Sequence, residues 1–86
     1  MTYAVEWTKA ASKELSKLPR SVQVQVVEAV TTFAATGRGD IRKLAGRQEH
    51  WRLRVGDYRV VFTRRKGELL LTIVVVKVGN RRDVYD

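Results

Sequence analysis

Residues 51 to 62 read Trp-Arg-Leu-Arg-Val-Gly-Asp-Tyr-Arg-Val-Val-Phe, and in that run three guanidinium groups fall at spacings that could bring them to one anion. Successive side chains of a strand point to opposite faces, so the parity of each residue fixes its side. Gly56-Asp57 suits a two-residue type II′ turn, with glycine at the first central position. That turn sets Val55 opposite Tyr58, Arg54 opposite Arg59 and Arg52 opposite Val61. Arg52, Arg54 and Arg59 then share one face, while Trp51, Leu53, Val55, Tyr58, Val60 and Phe62 share the other. Like charges directly across a strand pair destabilise it, so folding alone does not explain the arginine side. An anionic ligand removes the penalty, and a planar guanidinium is suited to phosphate oxygens.

The end of the chain, Val78-Gly79-Asn80-Arg81-Arg82-Asp83-Val84-Tyr85-Asp86, holds further candidates. In an extended chain Arg81, Asp83 and Tyr85 point the same way, so an arginine and a phenol could face a common ligand. A frayed basic terminus is the plain alternative. His50, the sole histidine, has the parity of Arg52 if the strand starts early, and imidazole can donate a proton near neutral pH. A structural histidine at a strand start is the simpler reading. Glu49 has the opposite parity and reads as solvated. One histidine and scattered acids give no metal-ligand spacing, and cysteine is absent. No motif around Ser12, Ser16 or Ser21 resembles a nucleophile elbow, and glycine-rich phosphate loops are missing. The expectation is a site without metal or cofactor. Trp7, Phe33, Trp51 and Phe62 sit at core positions, where packing is a stronger expectation than base stacking.

The net charge of +8 is concentrated. Residues 38 to 66 hold ten Arg or Lys against three Asp or Glu, whereas the segments before and after are close to neutral. A field of one sign speeds encounter with polyanions and makes nucleic acid the leading partner class. With 86 residues the chain is expected to form one domain spanning 1–86. The absence of cysteine is compatible with a reducing cytoplasm. Neither a secretory leader nor a bilayer-length apolar run is evident, so a soluble cytoplasmic protein without a membrane partner is expected.

The elements that must position these residues follow from periodicity. Tyr3, Val5 and Trp7 alternate as a first strand. Thr8 offers an N-cap to a helix over 9–17, with Ala11, Leu15 and Leu18 at helical spacing and Lys13 and Lys17 on the exposed side. Pro19 breaks this helix and can be the first residue of the next, whose stripe is Val22, Val26, Val30 and Phe33 and whose C-terminal cap is Gly37. Residues 37 to 49 read as a loop anchored by Ile41 and Leu44. The hairpin follows, then a turn at Arg64-Arg65-Lys66-Gly67, then an apolar run from Leu69 to Val76 expected as a central strand buried on both faces. The fold class is α+β, with two N-terminal helices packed on one face of a mainly antiparallel sheet.

Over nearly its whole length the chain resembles the RelE/ParE superfamily of small toxins from toxin-antitoxin pairs. The resemblance rests on Val5 to Leu18 with its Lys-Glu-Leu-Ser-Lys-Leu-Pro run, on Lys43-Leu44-Ala45-Gly46, on Trp51 to Phe62, and on Gly79 to Tyr85. RelE-type members are ribosome-dependent ribonucleases that cleave messenger RNA in the A site, and ParE-type members inhibit DNA gyrase. The RelE pattern falls here on Arg52, Arg54, Arg59, Arg81 and Tyr85. It implies metal-free attack of a 2′-hydroxyl on the adjacent phosphate, with arginines holding the phosphate and Tyr85 as general base. A phenol ordinarily titrates at about pH 10, so neighbouring cations must lower the Tyr85 pKa. Well-studied RelE members carry lysines where this chain has Arg52 and Arg54. A guanidinium is a poor acid, which leaves the general acid unassigned, with His50 as a candidate. Lys43, Arg47, His50 and Arg82 are the further expected RNA contacts, with Arg82 able to stand in for Arg81. The resemblance also implies a cognate antitoxin, and a basic groove suggests that its binding segment is acidic and amphipathic. A ParE-like gyrase inhibitor and a non-catalytic RNA-binding module are the alternatives.

Overall fold

Thr8 caps the first helix as its residue type predicts: its Oγ1 accepts a hydrogen bond of 3.1 Å from the Ala11 backbone N–H. The computed structural model describes residues 3–46, 49–66 and 71–80, of which 66, 71–77 and 80 are described by their backbone. Strand β1 (Ala4–Trp7) leads into helix α1 (Lys9–Ser16) and helix α2 (Arg20–Thr36), followed by strands β2 (Asp40–Lys43), β3 (Trp51–Val55), β4 (Tyr58–Lys66) and β5 (Leu71–Asn80). They form one five-stranded sheet in the order β1-β5-β4-β3-β2. β1 runs parallel to β5, and the other pairings are antiparallel. Two helices against a mainly antiparallel sheet is the expected class.

The helix stripe and one hairpin face make the core. Val26, Val30, Phe33 and Ala34 of α2 and Ala11 of α1 are buried with Leu53, Val60, Phe62 and Val78 of the sheet. The Phe33 and Phe62 rings meet with centroids 5.2 Å apart, and Tyr3 stacks on Phe33 at 5.9 Å. Each buried Val, Leu or Phe contributes about 1.5–3 kcal/mol, enough to hold a valine-rich helix of poor intrinsic propensity. Gly37 ends α2 in the left-handed conformation, φ +78°, and its N–H donates to the Phe33 carbonyl at 2.8 Å.

Beyond Val75, β5 no longer has β1 beside it. There the Glu14 carboxylate of α1 accepts a 3.0 Å hydrogen bond from the Val78 backbone N–H. A register shift between Val61 and Phe62 marks the same region, since Val61 pairs with Lys77 and Phe62 with Val75.

Three local expectations are corrected. Residues 40–43, expected in a loop, are an edge strand. One apolar residue among four gives too weak an alternation to read, and the strand owes its form to pairing with β3. Pro19 is the N-cap of α2 and Arg20 its first residue. Arg64 to Lys66 continue β4 instead of turning: the Arg64 guanidinium lies 4.4 Å from the centroid of the Trp51 ring, and Arg65 is ion-paired with Glu6. Gly67, Leu69 and Leu70 lie outside the described residues. The central place of β5 between β1 and β4 is as expected.

Candidate functional site

Strand β3 turns into β4 at Gly56, whose φ is +59°. Among the described residues only glycines have positive φ, so Asp57 does not, as a type II′ turn requires. The register is the expected one: Val55 with Tyr58, Arg54 with Arg59, Leu53 with Val60, Arg52 with Val61 and Trp51 with Phe62. By parity Arg52, Arg54 and Arg59 therefore share the side of the sheet opposite to Leu53, Val60 and Phe62.

Their environments differ. Arg52 is only 6% exposed, and its Nη1 donates to the Asp40 carbonyl at 3.0 Å and to Asp40 Oδ1 at 3.2 Å. This ties β3 to the edge strand β2. Arg54 is exposed, with Nε 3.4 Å from the Gly56 carbonyl, and it borders a shallow cleft against α2 with Gln25, Glu28, Thr32 and Arg38. Arg59 is half-buried, and β5 sets Gly79 opposite it.

The structure adds a cation that sequence reasoning missed. β2 pairs Arg42 with Arg52 and Asp40 with Arg54, which puts Arg42 on the arginine face and exposed. Reading 37–49 as a loop concealed it. Ile41, which packs against the core, was the single apolar residue in that segment and too little to read as a strand. Lys43 goes the other way. It pairs with Trp51, its Nζ lies 5.8 Å from that ring and 3.5 Å from Glu49 Oε1, and it is not brought to the arginines. His50 is half-buried just before β3, and its carbonyl accepts the Leu44 N–H at 2.8 Å. Arg47, Arg81, Arg82 and Tyr85 lie outside the described residues. Among the described residues, no three His, Asp or Glu side chains cluster as metal ligands, and no helix is long and apolar enough to cross a membrane.

This arrangement, four guanidiniums on three adjacent strands with one carboxylate at the edge, can bind and neutralise phosphates. A family model described as the ParE toxin of the type II toxin-antitoxin system, parDE, matches residues 5–85. The chain belongs to the ParE toxin family, within the RelE/ParE superfamily. It is a toxin of a type II toxin-antitoxin system by that membership. It is similar in structure to a chain of the RelBE2 toxin-antitoxin complex from Mycobacterium tuberculosis, with 26% identity, a TM-score of 0.75, and coverage of 94% of this chain and 100% of that one. A chain of the archaeal RelE-RelB complex from Pyrococcus horikoshii gives 28% identity and a TM-score of 0.70, over 94% and 97% of the two chains. The RelB-RelE complex from Methanococcus jannaschii gives 20% identity and 0.66 over 94% and 95%, a likeness of fold. No curated protein matches the chain by sequence.

Proposed function

We propose that this toxin is a ribosome-dependent endoribonuclease that cuts messenger RNA in the ribosomal A site. The nucleotide 2′-oxygen attacks the adjacent phosphorus. An O2′–P bond forms, the P–O5′ bond breaks, and the products are a cyclic phosphate and a 5′-hydroxyl. Tyr85, as phenolate, accepts the 2′ proton, and Arg54, Arg59 and Arg81 neutralise the charge that gathers on the phosphoryl oxygens. Arg52 adds its charge from a buried position. The leaving oxygen takes a proton from a group other than the arginines, which hold theirs, and His50 is the candidate. No metal enters this reaction.

The observation that carries the reading is Arg54 facing Arg59 in register, beside Gly79, on the side of the hairpin opposite to Leu53, Val60 and Phe62. Two relatives of this fold come from RelE-RelB-type complexes, which supports a cognate antitoxin for this chain as well. Its inhibitory segment is acidic and amphipathic, to cover the basic face, and the pair acts in the cytoplasm.

Gyrase inhibition is the second reading, favoured by the ParE description of the matching family. Purified toxin added to a programmed translating ribosome, with primer extension to detect breaks, and in parallel to a gyrase supercoiling reaction, decides between them. Breaks that vanish in Arg59→Ala and Tyr85→Phe are expected. Inhibited gyrase with intact message would overturn the ribonuclease reading.

A further inference from the structure

Arg42 stands on the edge strand β2, exposed, directly across from Arg52. Its phase is fixed, because Ile41 next to it packs against the core, so Arg42 and Asp40 face the arginine side. The carboxylate beside it is engaged with Arg52, and among the described residues Arg42 has no hydrogen-bond, ion-pair or ring partner. The sheet thus holds two consecutive cross-strand pairs of like charge, Arg42–Arg52 and Arg54–Arg59. A pair of like charges opposes strand pairing, and two in adjacent ladders compound the effect.

We infer that Arg42 is a phosphate-binding residue that extends the RNA contact surface across β3 to the sheet edge and holds a phosphate neighbouring the one cleaved. Two strand spacings separate β4 from β2, roughly 10 Å. A phosphate group is far smaller than that separation, so Arg59 and Arg42 address different phosphates of one extended single strand. Arg52, buried between them and bound to Asp40, leaves Arg42 as the accessible cation at that register position. This assignment rests on the ribonuclease reading, since it names part of the same substrate.

Discouraging edge-to-edge pairing is the other use of an exposed edge cation, and it requires no ligand. Cleavage on programmed ribosomes separates the two. Arg42→Ala is expected to raise the half-saturating toxin concentration roughly tenfold, with the rate at saturation within about twofold of wild type. The slope of log affinity against log salt becomes shallower by about 0.7, the value for one contact to a single strand. Arg42→Lys restores most of the loss. Lys17→Ala, at the exposed C-cap of α1, changes neither quantity. On a message carrying one uncharged methylphosphonate linkage next to the cut site, wild type and Arg42→Ala become equal. If they still differ there as they do on ordinary message, or if Arg42→Ala matches wild type throughout, the assignment to a neighbouring phosphate is overturned while cleavage stands. Absence of cleavage by the wild-type toxin would instead remove the ribonuclease reading and this assignment with it. Thermal unfolding of Arg42→Ala at the wild-type temperature excludes a folding defect.

Discussion

Asp40→Asn separates the two duties of the arginine face, because it should move stability and RNA affinity in opposite directions. The substitution keeps size and the main-chain carbonyl, so the 3.0 Å bond from Arg52 survives and only the carboxylate at 3.2 Å is changed. A hydrogen bond to a charged group contributes about 1.5–3 kcal/mol, and because Arg52 keeps its charge only the ionic share of that bond is lost, about 1 kcal/mol. The Asp40 side chain is 58% exposed, which screens the pair and keeps the loss toward the low end. For a chain of 86 residues each 1 kcal/mol shifts the melting temperature by about 4–8 °C. Urea unfolding should show the loss, and a double-mutant cycle with Arg52→Met should return a coupling of about 1 kcal/mol. Removing a carboxylate from a cationic face raises its potential, so the same variant should saturate cleavage at a lower concentration. Unfolding at the wild-type urea concentration, or fully additive losses in the cycle, would refute the assigned pairing.

Other substitutions test the supports of the site. Glu14→Ala leaves the Val78 N–H without its acceptor and should lower stability by about 1–3 kcal/mol in thermal unfolding, with Glu14→Gln restoring most of it. Gly37→Ala meets no atom within 4 Å and should cost only the left-handed backbone strain of about 1–2 kcal/mol. Gly39→Ala adds to a φ of +154° a Cβ placed 2.7 Å from Leu53 Cδ1, and should therefore melt lower than Gly37→Ala; equal melting temperatures would contradict this. Arg54→Thr relieves the like-charge pair with Arg59 and should hold or raise the melting temperature by about 0.2–1 kcal/mol equivalent while cleavage falls; a lower melting temperature would assign Arg54 to the fold.

What was legible in the sequence was whatever a strong period or a single decisive residue encodes. The hairpin register followed from Gly56 and the alternation around it, because a slip by one residue would have exposed Leu53, Val60 and Phe62 and buried the arginines. Thr8 and Gly37 marked helix ends for local steric and hydrogen-bonding reasons. The strand at Asp40–Lys43 escaped because its pairing with β3 is non-local and one apolar residue is no pattern. With it went Arg42, the opposite facing of Lys43, and the partner that buries Arg52. The continuation of β4 through Arg64 and Arg65 escaped for a similar reason. Three consecutive cations resemble a turn until a tryptophan ring and a glutamate on other strands give two of them partners.

The hairpin also explains why membership of this family leaves the target open. Its core side buries Leu53, Val60 and Phe62, each contributing about 1.5–3 kcal/mol, whereas a like-charge pair on the other side opposes folding by about 0.2–1 kcal/mol. The apolar positions outweigh the like-charge pair several times over, so the fold survives change at Arg54 and Arg59, whereas buried Arg52 also ties β3 to β2. Binding chemistry on this scaffold is therefore written at alternate positions that stability hardly constrains. A cut at phosphate needs guanidiniums at Arg54 and Arg59 together with the phenol of Tyr85, whereas a non-catalytic grip on gyrase needs only complementary charge. The discriminating variant is accordingly Tyr85→Phe, which leaves the charge of the face intact: a gyrase inhibitor would keep its potency, and a ribonuclease would lose its base.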